Sequence, residues 1–303
     1  MKNRILRLNL YVGLGVLCCS ALLLAFEVSF IKTWFFSLAW WSFILIMDSL
    51  NYRKSGASPL SGPFGEFLFM TFISVFVWLV FELFNLRLNN WSYHGLPKNL
   101  PLRWLGYFIA FATVVPAMRE ISLFAESLLK NRKLALFRLR PTPLLLKGSL
   151  VFGTVCIFLV IIWPRLFFPL TWLCFIFLFE PLNIWLGNES YVKDMDRRDW
   201  ARFWSWVLAG LVAGILWEFW NFWAGSHWEY HLPYLDFWRF FQMPVFGYTG
   251  FLPFALEVFA FYHISLSLYR KFKGKVVLKS VIFLALLFIY AAVFFLIDTF
   301  TLK

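Results

Sequence analysis

An acidic side chain stands three residues before an asparagine at two distant places in this chain. The first pair is Glu82 and Asn85, and the second is Glu218 and Asn221. Residues i and i+3 share one face of a helix, so each pair would present a carboxyl group and an amide to the same neighbour. A carboxyl group held in this way could donate or accept a proton in general acid–base chemistry, with the amide orienting it.

The two pairs belong to an internal repeat. Residues 81–97 read FELFNLRLNNWSYHGLP, and residues 217–233 read WEFWNFWAGSHWEYHLP. The matched positions are Glu82/Glu218, Asn85/Asn221, Trp91/Trp228, Tyr93/Tyr230, Pro97/Pro233, Pro116/Pro253 and Glu120/Glu257. Self-similarity with a long period indicates two structurally related units.

A further match extends the repeat upstream, where Asp48 and Asn51 correspond to Glu180 and Asn183. A carboxylate at the centre of a membrane-spanning helix costs about 2.5–3.5 kcal/mol on insertion scales, which makes such residues functional candidates by default. The alternative is structural, because acids and amides can cap helices or hydrogen-bond across a helical bundle. Both interpretations apply to every repeated acid.

The composition requires these residues to lie in a membrane. The chain has 303 residues, of which 61% are hydrophobic, 22% aromatic and 15% charged, whereas soluble domains carry about 25% charged residues. This is too little polar surface to cover a water-soluble fold. The composition excludes secreted disulfide scaffolds, disordered tails and soluble nucleotide-binding domains.

Nine apolar runs are long enough to cross a bilayer as helices. They lie at 8–30, 33–50, 64–86, 104–128, 148–164, 166–187, 203–223, 244–269 and 277–297. We therefore predict an all-α polytopic membrane bundle of nine spans, built from two tandem four-helix repeats and one extra helix. The predicted units are residues 1–130, a basic linker at 131–147, residues 148–270, and a ninth helix with a tail at 271–303.

The number of spans also predicts how the repeats are arranged. Each repeat has an even number of spans, so both should have the same orientation and be related by an axis along the membrane normal. Within the second repeat, the run that contains Pro244, Gly247, Gly250 and Pro253 predicts a discontinuous helix in the eighth span.

The net charge of +12 is explained by topology. With the N-terminus in the cytoplasm, 20 Lys and Arg residues fall in cytoplasmic segments and 7 fall outside, as the positive-inside rule predicts. The expected location is a bacterial inner membrane and the expected partners are membrane lipids. No nucleic-acid partner is needed to explain the charge, and the sequence indicates no oligomeric state.

The sequence predicts no cofactor and no metal. It has none of the glycine-rich phosphate-binding motifs. His94, His227, His231 and Glu229 could approach one another in the loops that follow the acid–amide pairs. They form no H-E-x-x-H motif, so a zinc site there is not favoured.

Buried acids among many aromatic rings suit one class of reaction. A neutral carboxylic acid can protonate an alkene or epoxide, and the faces of aromatic rings stabilise the resulting carbocation. We expect Glu82 and Glu218 to exchange protons with a lipid-soluble isoprenoid or carotenoid, while Asn85 and Asn221 orient them. The other candidates are Glu120 and Glu257 as further acids, and Trp91, Tyr93, Trp228 and Tyr230 as substrate-binding residues at the outer rim.

The order of these residues resembles the heterodimeric type of lycopene cyclases and related carotenoid-modifying membrane proteins. Those proteins carry a WDNY-like motif, a W-x-Y/F turn and a P-x-E-E-x-x-F-F motif in duplicated helical units. The corresponding residues are Glu82, Asn85, Trp91, Tyr93, Pro116, Glu120 and Phe124, then Glu218, Asn221, Trp228, Tyr230, Pro253, Glu257 and Phe261. This chain departs from the last motif, with a single acid in PAMRE at 116–120 and in PFALE at 253–257. The resemblance implies a cyclase-like enzyme of carotenoid biosynthesis.

Two other classes of function fit the same residues. A proton-coupled carrier or channel could use the repeated acids as a relay. A non-catalytic membrane protein would need them only for packing, and would tolerate their substitution.

Overall fold

The computed structural model describes residues 2–129, 132 and 134–303. Residues 131 and 133 of the predicted basic linker lie outside this part of the chain. The helices are α1 (Lys2–Ala25), α2 (Ser29–Ser55), α3 (Phe64–Leu88), α4 (Leu100–Phe111), α5 (Val114–Leu129), α6 (Pro143–Ile162), α7 (Pro164–Phe167), α8 (Cys174–Trp185), α9 (Tyr191–Asp196), α10 (Ala201–Trp223), α11 (Phe251–Lys271) and α12 (Val276–Phe300). The strands are β1 (Trp91–His94), β2 (His227–Tyr230), β3 (Arg239–Phe240) and β4 (Met243–Pro244), with 3₁₀ helices at Phe168–Trp172 and Val245–Gly250.

Nine stretches of the described chain are long and apolar enough to cross a membrane. They are Leu8–Ala25, Ser29–Ser55, Phe64–Leu88, Leu100–Leu129, Pro143–Ile162, Pro164–Trp185, Ala201–Trp223, Val245–Lys271 and Val276–Phe300. Only 11–22% of the most apolar window is buried in α1, α6 and α12, against 67% in the fourth and eighth spans. The three former helices therefore form the periphery of the bundle. The protein is an integral, multi-pass, all-α membrane protein, as predicted.

The basic segment between α5 and α6 ends at a helix start. Residues 134–142 have no helical structure, and α6 begins at Pro143. Proline suits the first turn of a helix because its missing N–H has no partner there. Thr142 caps the helix by accepting a hydrogen bond from the Leu145 amide at 3.3 Å.

The fourth span is a broken helix, and a side chain from α3 bridges the break. Ser74 Oγ donates to the Phe111 carbonyl at the end of α4 (2.6 Å). The same oxygen accepts from the Val115 amide at the start of α5 (3.0 Å). Pro116 lies in the first turn of α5, where proline is tolerated, and one hydroxyl pairs with a backbone carbonyl on one side of the break and a backbone amide on the other.

The sixth and eighth spans are also interrupted. The eighth begins with the 3₁₀ helix Val245–Gly250 before α11 starts at Phe251, which confirms the discontinuity predicted there. The sixth consists of α7, the 3₁₀ helix Phe168–Trp172 and α8, an interruption that the sequence pattern did not predict. Both interruptions lie in the second repeat.

Two glycines allow α10 to pack closely against α11. A Cβ atom at Gly210 would lie 2.2 Å from the Phe251 carbonyl oxygen, and one at Gly214 would lie 2.5 Å from the Phe251 ring. The spacing of four residues places both glycines on one helix face, the small-residue arrangement through which membrane helices approach each other. Phe251, the first residue of α11, is therefore fixed against α10.

The two repeats meet at an antiparallel strand pair. Strand β1 pairs with β2 so that Trp91 lies opposite Tyr230 and Tyr93 lies opposite Trp228. Trp91 is the repeat partner of Trp228, and Tyr93 that of Tyr230, so the pairing is symmetric about the central pair of Ser92 and Glu229. We call the end of the bundle that carries this pair the strand end.

The last helix covers the first repeat at the strand end. Arg103 of α4 forms a bidentate ion pair with Asp298 of α12, with N···O distances of 2.8 and 2.9 Å. Asp298 also accepts hydrogen bonds from Trp104 Nε1 and the Tyr107 hydroxyl, both at 2.9 Å. Beyond α12, the Tyr93 amide donates to the Thr301 carbonyl (2.9 Å) and the Tyr93 carbonyl accepts from the Lys303 amide (2.8 Å).

Candidate functional site at the strand end

Glu82 is enclosed by donors from its own repeat. Its side chain is fully buried in α3. One oxygen, Oε1, accepts hydrogen bonds from the Tyr93 hydroxyl (2.5 Å), Trp78 Nε1 (2.8 Å) and Trp91 Nε1 (3.1 Å). The other oxygen, Oε2, has no partner among the described residues. The carboxyl group thus has three donors on one oxygen and an apolar surrounding on the other.

Glu218 occupies the equivalent place in α10 with fewer partners. It is also fully buried, and its Oε1 accepts one hydrogen bond, from the Tyr230 hydroxyl at 2.8 Å. Within the part of the chain that the structure describes, Oε2 is again unpartnered. The residue at the Trp78 position of this repeat is Gly214, which has no side chain to donate.

The two asparagines contact the strands rather than the acids. Asn85 Oδ1 accepts from the amides of Asn90 (2.8 Å) and Trp91 (3.2 Å), and its Nδ2 donates to the Trp91 carbonyl (2.8 Å). Asn221 makes the same two-way contact with the amide and carbonyl of Trp228, both at 2.9 Å. Each asparagine therefore holds the strand that carries the tyrosine, and so positions the tyrosine against the glutamate.

Glu120 lies in a second polar cluster formed by α2 and α5. Its Oε2 accepts from Asn51 Nδ2 at 2.6 Å, and the same amide donates to the Glu120 carbonyl at 2.9 Å. The carboxyl groups of Asp48 and Glu120 interact with each other. Asp48 also accepts from the Leu60 amide (2.8 Å) and the Ser58 hydroxyl (3.0 Å), so this cluster fixes the loop between α2 and α3.

Glu257 meets a different partner from its counterpart Glu120. Its Oε1 accepts from the Phe175 amide at 2.9 Å, in the first turn of α8, where free N–H groups and the helix dipole favour an acid. Asn183 donates instead to the Ala260 carbonyl (3.0 Å). Glu180 accepts from the Ser190 hydroxyl and the Val192 amide. The interruption of the sixth span thus gives Glu257 a helix-capping contact that Glu120 lacks.

An aromatic cavity of about 250 Å³ lies beside the strand pair. All four predicted substrate-binding residues line it: Trp91, Tyr93, Trp228 and Tyr230. The interrupted parts of the sixth and eighth spans supply much of the remaining wall, including Phe168, Trp172, Phe246 and Phe251. The structure therefore brings the two tyrosines together at one cavity, although no contact among the described residues joins Glu82 to Glu218.

Aromatic rings form the floor of this cavity. Trp172 packs edge-on against Phe254 with ring centroids 5.4 Å apart, and Trp78 contacts the same phenylalanine at 6.0 Å. Trp172 also stacks on Phe81 at 5.1 Å. The sequence pattern does not distinguish these residues, because a Trp or Phe in an apolar span carries no local signal that separates a cavity wall from packing.

The two tyrosine hydroxyls remain protonated over the physiological range. Burial, followed by the charge of Glu82, raises the pKa of the Tyr93 hydroxyl well above its ordinary value. Burial raises the pKa of the Tyr230 hydroxyl in the same direction. Both residues lie outside the membrane-spanning segments and border the cavity, so each presents a neutral phenol to it.

The histidines occupy the other face of the strand pair. The rings of His94 and His227 stack with centroids 5.7 Å apart, and the Ser92 hydroxyl lies 3.0 Å from His231 Nε2. Among the described residues, no group of three or more His, Cys, Asp or Glu side chains is arranged to hold a metal ion.

No protein-family model, curated protein or solved structure matches this chain. The resemblance to lycopene cyclases therefore stays a prediction from the motifs. The fold and the site geometry are the basis for a functional proposal.

Proposed function

We propose that this protein is an intramembrane enzyme that binds a lipid-soluble isoprenoid in the aromatic cavity and rearranges it by acid–base chemistry. The observation that carries the proposal is the contact between Tyr230, which lines the cavity, and the buried carboxyl group of Glu218 behind it. A phenol backed by an acid can deliver a proton to a bound alkene and be resupplied from the acid.

The reaction needs no co-reactant. The Tyr230 proton adds to one carbon of a double bond, whose electron pair forms the new C–H bond and leaves a carbocation on the other carbon. Glu218 is protonated in this step, so the hydrogen bond between the two side chains is reversed: the carboxylic acid donates to the Tyr230 oxygen and replaces the proton that the phenol gives up. The cation, closed into a ring or not, then loses a different proton, which returns through Tyr230 to Glu218. The product is an isomer of the substrate, and the enzyme ends in its starting state.

The cavity walls suit a transient cation. Trp172, Phe254 and Trp91 line the space in which the charge would develop. A cation over an aromatic face is stabilised by about 0.5–2 kcal/mol per ring, and more strongly where water is excluded. Water would capture a carbocation, so an apolar wall also protects the intermediate.

The charge distribution supports one placement in the membrane. We propose that the N-terminus lies in the cytoplasm of a bacterium, with the protein in the inner membrane, because basic residues concentrate on that side in this topology. The strand end would then face the outer side, and the cavity would take its substrate from the outer leaflet.

The experiment compares lipid extracts by mass spectrometry from cells that express the wild type, Glu218→Gln, Tyr230→Phe or Tyr269→Phe. Tyr269 stacks on Phe69, lines no part of the cavity and serves as the matched control. We expect the wild type and the control to produce an isomer that the other two variants do not. An isoprenoid profile unchanged by the wild type would refute the proposal, and the same variants would then be tested for proton flux in liposomes.

A further inference from the structure

A groove of about 810 Å³ lies between the peripheral helix α1 and helix α10. It shares no lining residue with the aromatic cavity beside the strand pair. The α1 wall consists of Leu17, Ala21, Leu24 and Ala25. Their spacing places them on one face of the helix. The opposite wall includes Phe219, Phe222 and Trp223 of α10, whose side chains are 40–50% exposed.

The groove is apolar along its length and charged at one end. From Leu17 to Ala25, α1 rises by about 12 Å, so the apolar part of the groove extends from the end of α1 into the hydrocarbon layer. Beyond Ala25, the groove is bordered by Glu27 and Lys32. An acyl chain beneath a polar headgroup has the same arrangement, which makes a phospholipid the ligand that fits this surface.

The charged end of the groove is fixed by the backbone. Glu27 has a left-handed conformation with φ of 57° in the turn between α1 and α2. The Lys32 carbonyl accepts a hydrogen bond from the Gly225 amide at 2.8 Å, so the start of α2 is attached to the segment that follows α10. Trp223, the last residue of α10, lies at the same end, where an amphipathic indole suits the headgroup region.

Glu27 and Lys32 interact only weakly with each other. Lys32 Nζ lies 3.5 Å from Glu27 Oε1, and the two side chains are 42% and 78% exposed, respectively. An exposed pair at this distance contributes little to stability, so each charge can bind a ligand group at small cost. One cation and one anion side by side match a headgroup that carries an anion and a cation at a similar spacing.

We infer that this groove binds one phosphatidylethanolamine molecule, with its phosphate at Lys32, its ammonium at Glu27 and an acyl chain between α1 and α10. A headgroup with a phosphate alone would leave Glu27 without a partner. A trimethylammonium headgroup has no N–H group to donate to the carboxylate, and charge-assisted hydrogen bonds are the stronger ones. The bound lipid connects α1 to α10, and its binding does not depend on the proposed reaction.

The test measures which lipid the protein retains. Delipidated protein in detergent is mixed with equal amounts of palmitoyl-oleoyl phosphatidylethanolamine, phosphatidylglycerol and phosphatidylcholine, and bound lipid is counted by native mass spectrometry. We expect one phosphatidylethanolamine per chain, retained about tenfold over the other two, the usual effect of one hydrogen bond to a charged group. Glu27→Gln should remove this preference, and Lys32→Gln should weaken the retention of all three lipids, since each has a phosphate.

Matched variants separate the groove from the rest of the surface. Glu66→Gln changes an acid in an ion pair outside the groove and should keep the preference. Ala21→Phe should lower lipid retention by narrowing the groove, whereas Leu22→Phe changes an exposed α1 residue that does not line it and should not. Equal retention of the three lipids by the wild type would overturn the inference, as would a preference that survives Glu27→Gln, or a folded wild type that retains no lipid.

Discussion

The two repeats place a buried glutamate at the same position but surround it differently. In the first repeat, Trp78, Trp91 and Tyr93 all donate to Glu82. In the second, Tyr230 alone donates to Glu218. Three donors hold an acceptor oxygen in one place, whereas one donor leaves the carboxyl group free to exchange a proton with its partner. We therefore propose a structural role for Glu82 and a chemical role for Glu218.

The large cavity belongs mainly to the second repeat. It has a volume of about 250 Å³ and borders both tyrosines, but most of its other lining residues, such as Phe168, Trp172, Phe246 and Phe251, lie in the second repeat. In the first repeat, α2 and α4 continue as helices at the strand end, and α12 packs over them. In the second, the corresponding segments are short 3₁₀ helices and the strands β3 and β4. The absence of regular helix in these segments of the second repeat leaves room for the cavity.

The largest expected effect separates the two glutamates by activity. Glu218→Gln should lower turnover of the isoprenoid by about 10²–10⁴-fold, the usual contribution of a general acid. Glu82→Gln should leave most of the turnover, because three hydrogen bonds already hold the Glu82 carboxyl group within the first repeat. Turnover is measured by product formation in proteoliposomes at equal amounts of folded protein. Equal losses in the two variants would mean that the repeats share the chemistry.

The next prediction concerns the contact between α12 and the first repeat. Asp298→Ala should lower the free energy of unfolding by about 3–5 kcal/mol, because it leaves the largely buried guanidinium of Arg103 without its partner. The measurement is a denaturant titration in mixed micelles. The control is Glu66→Ala, which breaks a more exposed pair with Arg270 and should change the free energy of unfolding by about 0–1 kcal/mol. Similar losses would contradict a special role for Asp298.

A third effect tests the close packing of the second repeat. Gly214→Ala should lower the free energy of unfolding by about 1–3 kcal/mol, because the added Cβ would lie 2.5 Å from the Phe251 ring. In Gly148→Ala the new Cβ has no other atom within 4 Å. Because alanine favours a helix more than glycine does, the free energy of unfolding should rise by about 0.5–1 kcal/mol. The unfolding midpoint in detergent distinguishes them, and an unchanged midpoint in Gly214→Ala would show that α11 can move away from α10.

The smallest effect is a dependence on alkaline pH. The pKa values of Tyr93 and Tyr230 are raised in the folded protein, so the folded state holds these protons more tightly than the unfolded state. Stability is therefore fully present below the unfolded tyrosine pKa of about 10, and falls as the pH rises above it. Unfolding midpoints measured from about pH 9 to 11 should fall less steeply in the Tyr93→Phe/Tyr230→Phe double variant than in the wild type.

The sequence was informative where the same residue motif occurs twice and where the length of an apolar run predicts a membrane-spanning helix. The nine spans follow from apolar runs, and the Trp-x-Tyr motifs identified four residues that line one cavity. The roles of Asn85 and Asn221 were not predictable from spacing, because i and i+3 positions share a face but the strand that follows each helix offers better partners. The strand pair is also a long-range contact, which no local pattern reveals.

The strand pair has a consequence for the order in which the chain can fold. Strand β1 cannot pair until β2 has been synthesised, and the Tyr93 backbone receives its last partners only from Thr301 and Lys303. Contacts between residues this far apart in sequence form late, because the entropy of closing a long loop must first be overcome. The first repeat must therefore reside in the membrane with an unpaired strand while the second is made, and an insertase or chaperone that covers β1 during this interval would raise the yield of folded protein.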